Sequence, residues 1–297
     1  MSEPTLNYVS CPDATGSHRM AYWQWGRADA PHVVLCVHGL SRQGRDFDTL
    51  AQALLARSGK ALRVVCPDVV GRGQSDWLKD PKGYQVPAYA ADMGVLLQTL
   101  QPATLDWVGT SMGGLIGMAL AGQPQLPFPI RRLVLNDVGP AISWQAIVRI
   151  GTYLGDPLRF ASVEEAAEAL RRISIGFGPH TPEQWLALTR PMLKPAPEGD
   201  GRLMLHYDPA IAVPFRALTP ESSAQSEVVL WQLYDAIRAQ TLLLRGTESD
   251  LFARETAQAM MQRGPRASLV EFAGVGHAPT LVADDQVRAV CDFLLAD

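Results

Sequence analysis

Leu105-Asp106-Trp107-Val108-Gly109-Thr110-Ser111-Met112-Gly113-Gly114 runs straight into Leu115-Ile116-Gly117-Met118-Ala119-Leu120. An apolar run ends in a Gly-x-Ser-x-Gly turn, and a second apolar run opens behind it. The pattern reads as a buried strand, a sharp turn and a buried helix, with Ser111 at the apex. Glycine on both sides lets the backbone bend tightly and lets neighbouring elements come close. The turn lifts the Ser111 hydroxyl above the sheet edge and aims the Met112 backbone N–H at whatever the serine attacks. The five-residue pattern recurs by chance, so its meaning rests on the chain around it.

Toward the N-terminus, Val33-Val34-Leu35-Cys36-Val37 ends in His38-Gly39, and Leu62-Arg63-Val64-Val65-Cys66-Pro67-Asp68 ends in the turn Gly71-Arg72-Gly73-Gln74-Ser75. Continuous apolar runs of this kind suit strands covered on both faces. Helical spacing lies between them and the serine turn, over residues 47–57 and 89–100. Residues 6–10 and 18–25 alternate instead, as a half-buried antiparallel opening pair does. Toward the C-terminus, Ile130–Asp137 is one more strand, and the strand–helix alternation then stops near Pro140. It resumes with a strand at Thr241–Gly246, a helix over 255–263, a strand at Ala267–Phe272 and a last helix with apolar residues at 287, 290, 291, 294 and 295. The expectation is an α/β core made of residues 1–140 and 227–297, interrupted by a helical insertion at 141–226. Within the insertion, Ser162…Glu165 is a capping box and Thr181-Pro182 a helix start. Residues 191–200 read as a loop or hinge, 203–215 show no clear period, and 228–237 read helical again.

Composition narrows the class. The 297 residues are 47% hydrophobic and 19% charged, with a net charge of −4. Without a basic block there is no nucleic-acid or polybasic membrane signal. No apolar run reaches membrane-spanning length, and Met1–Thr5 lacks the start of a secretory leader. Cys11, Cys36, Cys66 and Cys291 have no ligand spacing and read as buried free thiols, which suits a cytoplasmic protein. No metal and no cofactor is expected. Gly71-x-Gly73 falls short of a dinucleotide fingerprint, and His206 with Asp208 is too small a set for a metal site.

The chemistry follows from residues placed after strands, where ligands of parallel sheets bind. A serine hydroxyl needs a base to take its proton, and the base needs a third group to fix its tautomer. His277 follows a late strand in the turn Gly274-Val275-Gly276-His277-Ala278-Pro279, and Asp250 follows the strand before it. The order Ser111…Asp250…His277 is the one this turn type uses. Glu248, two residues from Asp250, is an alternative acid. Negative charge on the attacked oxygen calls for preorganised donors. The N–H groups of Met112 and Leu40 are the candidates.

Together, Val33–Gly39, Asp68-x-x-Gly-x-Gly-x-Ser75, Gly109–Gly114, Leu243–Gly246 with Asp250, and Gly276-His277-Ala278-Pro279 resemble the serine α/β-hydrolase superfamily over nearly the whole chain outside the insertion. The resemblance implies a mostly parallel eight-stranded sheet with a helical cap inserted after the sixth strand. It implies Ser111 as nucleophile, His277 as base, Asp250 as acid, and Leu40 and Met112 as oxyanion donors. Some relatives place the acid after the sixth strand, where Asp137 stands. Serine at position 111 disfavours the aspartate-dependent dehalogenases and epoxide hydrolases. The C–C bond hydrolases usually carry Gly-Pro-Gly after His-Gly and tryptophan after the histidine; here Leu40-Ser41-Arg42 and Ala278 stand there.

The expected activity is cleavage of small carboxylic esters through an acyl-enzyme by a monomer or homodimer. Lactones, thioesters and C–C bonded diketones are alternative substrates, acyl transfer or perhydrolysis an alternative reaction, and a non-catalytic small-ligand binder the remote alternative. His38 braces its loop, and Asp68 with the Gly71–Ser75 turn organises a loop beneath the site. Trp144, Tyr153, Phe160, Phe177, Trp185, Met192 and Phe215 pack the insertion's own core, with one or two facing the serine. Arg149, Arg159 and Arg190 are solvated, unless one of them reads a substrate carboxylate.

Overall fold

The computed structural model describes residues 3–59 and 61–296; Met1 and Ser2, where the expectation of no leader begins, lie outside them. Among the described residues ten strands form, eight of them in one sheet. These eight are β1 (Thr5–Asp13), β2 (Gly16–Gly26), β3 (His32–Val37), β4 (Leu62–Pro67), β5 (Thr104–Thr110), β6 (Ile130–Asn136), β9 (Gln240–Gly246) and β10 (Ser268–Phe272). They lie in the order β1-β2-β4-β3-β5-β6-β9-β10. β1 pairs antiparallel with β2, and β2 with β4; every other pairing is parallel. The expected α/β sheet and its antiparallel opening pair are therefore present.

Side-chain alternation explains why the parallel strands read as unbroken apolar runs. On β3, Val33, Leu35 and Val37 enter one core, and Val34 and Cys36 the other. Successive side chains of a strand point to opposite faces, so a strand covered on both faces has no polar side. One face is covered by α2 (Val86–Leu100) and α3 (Met112–Ala121), through Met93, Leu96, Leu97 and Ile116. The other is covered by α1 (Asp48–Arg57) and α10 (Asp284–Leu295), through Leu50, Leu54, Val287, Val290 and Leu294. α9 (Arg254–Gln262) joins β9 to β10. All four cysteines are free and buried.

Between β6 and β9 the chain forms α4 (Trp144–Gly151), α5 (Val163–Ile173), α6 (Pro182–Thr189), the short hairpin β7 (Leu193–Pro195) and β8 (Leu203–Leu205), α7 (Ala212–Arg216) and α8 (Pro220–Ala236). The unassigned stretch 203–215 thus holds β8, a 3-10 turn and α7. α8 runs through the expected boundary at 226/227. It starts at Pro220 because Thr219 and Ser222 cap each other's backbone reciprocally. It packs on the sheet's helical layer: a Cβ on Gly122, at the end of α3, would stand 2.5 Å from the Leu233 carbonyl oxygen. Tyr234 is wholly buried and donates to the Met260 carbonyl at 2.7 Å. No described helix is long and apolar enough to cross a membrane.

Candidate active site

The turn at the end of β5 has the expected geometry. Ser111 sits at φ +52° and ψ −115°, a region that costs a non-glycine residue on the order of 1–3 kcal/mol and persists only where its surroundings enforce it. The surroundings are tight. A Cβ on Gly109 would lie 2.3 Å from the Gly113 carbonyl oxygen, and one on Gly113 would lie 1.9 Å from that of Val37. Both positions therefore require glycine. The Ser111 amide donates to the Asn136 carbonyl at 2.9 Å, which ties the turn to the end of β6.

His277 joins two of these strand ends. Its Nε2 is 3.0 Å from Ser111 Oγ, and its Nδ1 is 2.8 Å from Asp137 Oδ2. A carboxylate only accepts, so Nδ1 carries the proton toward Asp137 and Nε2 is left to accept from the serine hydroxyl. Asp137 has no exposed surface. Its Oδ1 accepts from the Gly246 amide at 3.0 Å, and its Oδ2 also accepts from Ser249 Oγ at 2.5 Å.

The expected acid, Asp250, is not the carboxylate on His277. Its oxygens accept from Arg149 Nε at 2.7 Å and Nη2 at 3.0 Å, and half of its side chain is exposed. The turn after β9 explains the difference. The Ser249 amide donates to the Gly246 carbonyl, and Ser249 Oγ, aimed inward at Asp137, also accepts from the amides of Leu251 and Phe252 at 3.3 and 3.1 Å. With Ser249 inside, Asp250 points outward, and Glu248 is exposed as well. Asp137 and Asp250 both satisfy the chain order from Ser111 to His277, so order alone does not choose between them. What the sequence does show is that Asp137 stands directly behind the apolar run Leu133-Val134-Leu135 and its strand, whereas Asp250 stands four residues beyond the end of β9.

Leu40 and Met112 lie on the loop after β3 and at the start of α3. A Cβ on Gly39 would lie 3.7 Å from Ser111 Cβ, so the loop that carries Leu40 passes beside the nucleophile. Met112 is the first residue of α3, and a first-turn amide has no acceptor within its helix. His38 is fully buried. Its Nδ1–H donates to the Gly39 carbonyl at 2.7 Å and its Nε2 accepts from the Val69 amide at 2.9 Å. Burial, with the charges of Arg72 and Arg42 adding to it, pushes its pKa down to about 3, so it braces the loop as a neutral ring. Asp68 accepts from the amides of Gly44 and Gln74 at 2.7 and 2.9 Å and from Trp23 Nε1 at 3.2 Å, beneath the same loop.

The insertion closes over this rim. The Gly276 amide donates to the Gly176 carbonyl at 2.6 Å, and a Cβ on Gly176 would be 3.0 Å from the His277 backbone nitrogen. Arg42 donates to the Leu188 carbonyl at 3.1 Å and its guanidinium lies over Phe177, which stacks on Trp185. Phe160, Trp185 and Met192 are buried as expected, whereas Trp144, Tyr153, Phe177 and Phe215 are half-buried. Arg149 and Arg159 are not free in solvent: they pair with Asp250 and Glu198. Arg190 is exposed. Asp208 accepts from Tyr84 Oη at 2.6 Å and not from His206. Among the described residues, Cys11, His18 and Asp92 form one buried group with ligand atoms within 4.8 Å of one another, but it lies on β1, β2 and α2. There His18 already binds Asp92 and Asp13, each at 3.0 Å.

Ser111, His277 and Asp137 thus form a hydrogen-bonded array on the carboxyl edge of the sheet. The chain belongs to the alpha/beta hydrolase family, whose model matches residues 34–292, and it is an enzyme of the hydrolase class. It is 50% identical to the 3-hydroxybutyrate-oligomer hydrolase of Cupriavidus necator over 98% of both chains. Among solved structures, it superposes on an alpha/beta hydrolase from Novosphingobium aromaticivorans with a TM-score of 0.84, at 34% identity over 99% of each chain. A putative hydrolase from Rickettsia typhi gives 0.86 at 27% identity over the same share.

Proposed function

We propose that the protein is a serine esterase that cleaves 3-hydroxybutyrate oligomers, with Ser111 as nucleophile, His277 as base and Asp137 as the acid. The observation that carries the chemistry is the pair of hydrogen bonds at His277, to Ser111 Oγ and to a buried carboxylate. End-to-end identity of 50% with a hydrolase of these oligomers supports the substrate.

His277 Nε2 takes the proton of Ser111 as Oγ attacks the ester carbonyl. The carbonyl oxygen becomes an oxyanion, which the N–H groups of Leu40 and Met112 receive at the start of α3. Imidazolium is stabilised by Asp137 and returns the proton to the leaving alkoxide, releasing the alcohol end of the oligomer. Water enters, gives its proton to His277 and attacks the acyl-serine. Collapse of the second tetrahedral species frees the acid and restores Ser111. The insertion, acting as a cap over His277, excludes bulk water and sets which acyl and alcohol groups fit. Four free buried thiols support a cytoplasmic setting.

The test is turnover of 3-hydroxybutyrate dimer and trimer, beside p-nitrophenyl butyrate, a lactone and a thioester, by wild type and Ser111→Ala. Oligomer cleavage that the Ser111→Ala variant loses is the expected result. A variant that still cleaves ends the serine mechanism, and a wild type that prefers the lactone or thioester ends the substrate assignment.

A further inference from the structure

Arg72 takes no part in the bond making described above, yet it is a cation with no exposed surface, in contact with both residues whose amides are assigned to the oxyanion. Gly71 at φ +85° and Gly73 at φ +52° flank it. A Cβ on the first would strike the Tyr84 ring at 2.6 Å and one on the second the Asp68 carboxylate at 2.3 Å. Two glycines thus let the turn fold back and drive the arginine inward. The insertion holds that turn from above: the Gly73 amide donates to the His206 carbonyl at 2.9 Å, and the Asp208 amide donates to the Gly71 carbonyl at 2.7 Å.

Every acceptor the guanidinium meets is neutral. Nε donates to the Leu40 carbonyl at 2.8 Å, Nη1 to the Val70 carbonyl at 2.7 Å and to Tyr89 Oη at 3.1 Å, and Nη2 lies 3.6 Å from Met112 Sδ. The rings of Tyr84 and Tyr89 lie 5.7 and 5.0 Å from its centre. No ion pair joins it to a carboxylate among the described residues. Two other buried arginines have a compensating negative group. Arg245 meets Glu271 at 2.8 Å, and Arg63 sits on the Leu100 carbonyl at the negative end of α2. Arginine does not shed its proton in a protein, and an unpaired buried charge is costly. The folded enzyme carries that cost at the spot where negative charge arrives during the reaction.

We propose that Arg72 is a positioning residue for the oxyanion: its bond to the Leu40 carbonyl fixes the backbone that presents the Leu40 amide, and its uncompensated charge favours the negative tetrahedral species over the neutral ester. The proposal rests on the serine-esterase reading above. An interaction absent from the ground state and present in the transition state raises kcat rather than lowering KM.

The experiment compares two inhibitors with the same alkyl chain on wild type, Arg72→Met and Arg72→Lys. A trifluoromethyl ketone adds Ser111 and becomes a tetrahedral oxyanion; the matching methyl ketone stays neutral. In Arg72→Met, trifluoromethyl ketone affinity and kcat should both fall by about 10²-fold, the loss typical of one oxyanion donor. Methyl ketone affinity and KM should hold within about twofold, and Arg72→Lys should recover about tenfold of the loss. If Arg72→Met does not fold, Arg72→Gln supplies the same ratio of the two inhibitors. An unchanged ratio in folded variants, or parallel loss of both ketones, overturns the proposal. Ser111→Ala separates the two levels: residual turnover there refutes the esterase reading itself, whereas a dead Ser111→Ala beside an unchanged ketone ratio refutes only the role of Arg72.

Discussion

The loops after β6 and β9 begin alike and end in opposite states. Each follows a buried strand on the same edge of the sheet, and each carries a carboxylate between Ser111 and His277 in the chain. Asp137 is wholly buried, at φ +55°, with its oxygens committed to Gly246, Ser249 and His277. Asp250 is half exposed and faces Arg149 of α4. The comparison shows what makes a carboxylate able to hold an imidazole. It must be immobilised by donors that also prevent its own solvation, and chain order supplies neither condition. The second loop still serves the first, because Ser249 on it donates to Asp137.

The sharpest way to break this comparison is to neutralise each carboxylate in turn. Asp137→Asn should lower kcat on p-nitrophenyl butyrate by about 10⁴-fold, since an amide leaves the imidazole in the wrong tautomer. Asp250→Asn should change it less than about threefold, since that exposed carboxylate pairs with Arg149 and not with His277. Steady-state kinetics on both variants decide the matter, and the reverse pattern would restore Asp250 as the acid. Ser249→Ala gives the next largest effect. It removes a charge-assisted hydrogen bond to Asp137, worth about 2 kcal/mol, and kcat should drop by about thirtyfold with KM little changed. A Ser249→Ala enzyme of wild-type kcat would mean that Asp137 is held without help from its neighbouring loop.

How much of this was legible in the sequence follows the same division between buried backbone and side-chain direction. β3 to β6 and the Gly109–Gly113 turn are readable because continuous apolar runs and required glycines each have one physical cause. Ser111 and Met112 are readable because they follow β5 directly, and Leu40 and His277 because they stand in short turns three and five residues beyond β3 and β10. The choice of carboxylate on His277 is not, because a turn such as 246–250 can present either of two neighbouring side chains inward, and the choice of Ser249 over Asp250 is made by the hydrogen bonds of Leu251 and Phe252. Arg72 escapes for a related reason. Its place in a glycine-flanked turn is visible in the sequence, but the inward direction of its side chain depends on contacts with Tyr84, Tyr89 and Leu40, which are distant along the chain. α8 runs across 226/227 because it starts at a cap, Thr219, while its apolar run Val228-Val229-Leu230-Trp231 begins nine positions later.

Carboxylates at the other edge of the sheet extend the contrast to stability. His18 binds Asp92 and Asp13, whose side chains are 5% and 16% exposed. Burial works against the charged ring, but the two carboxylates outweigh it and raise its pKa above the ordinary histidine value. A raised folded pKa contributes stability that is fully present below the unfolded value of about 6.5 and is lost as pH rises through the folded one. Replacing His18 by glutamine should therefore cost about 1 kcal/mol near pH 5.5 and progressively less toward pH 8.5. Thermal unfolding of both proteins across that range reads the difference. A gap that widens with pH would show that the ring is neutral in the folded state.

The Arg149–Asp250 bridge is the smallest term, and it tests whether the outward carboxylate has any structural worth. Its geometry is good, with two bonds at 2.7 and 3.0 Å joining α4 to the loop after β9. Its exposure is high, at 42% and 50% of the two side chains. Water and salt screen such a pair, and holding two flexible side chains in one arrangement offsets much of the Coulomb gain. The coupling between Arg149→Ala and Asp250→Ala in a double-mutant cycle should be about 0.5 kcal/mol and should shrink further in 1 M salt. A coupling several times larger, insensitive to salt, would mean that the bridge is desolvated when the insertion closes on the core. Asp250 would then be a latch whose removal changes substrate entry, and KM, rather than kcat, would be the constant that moves.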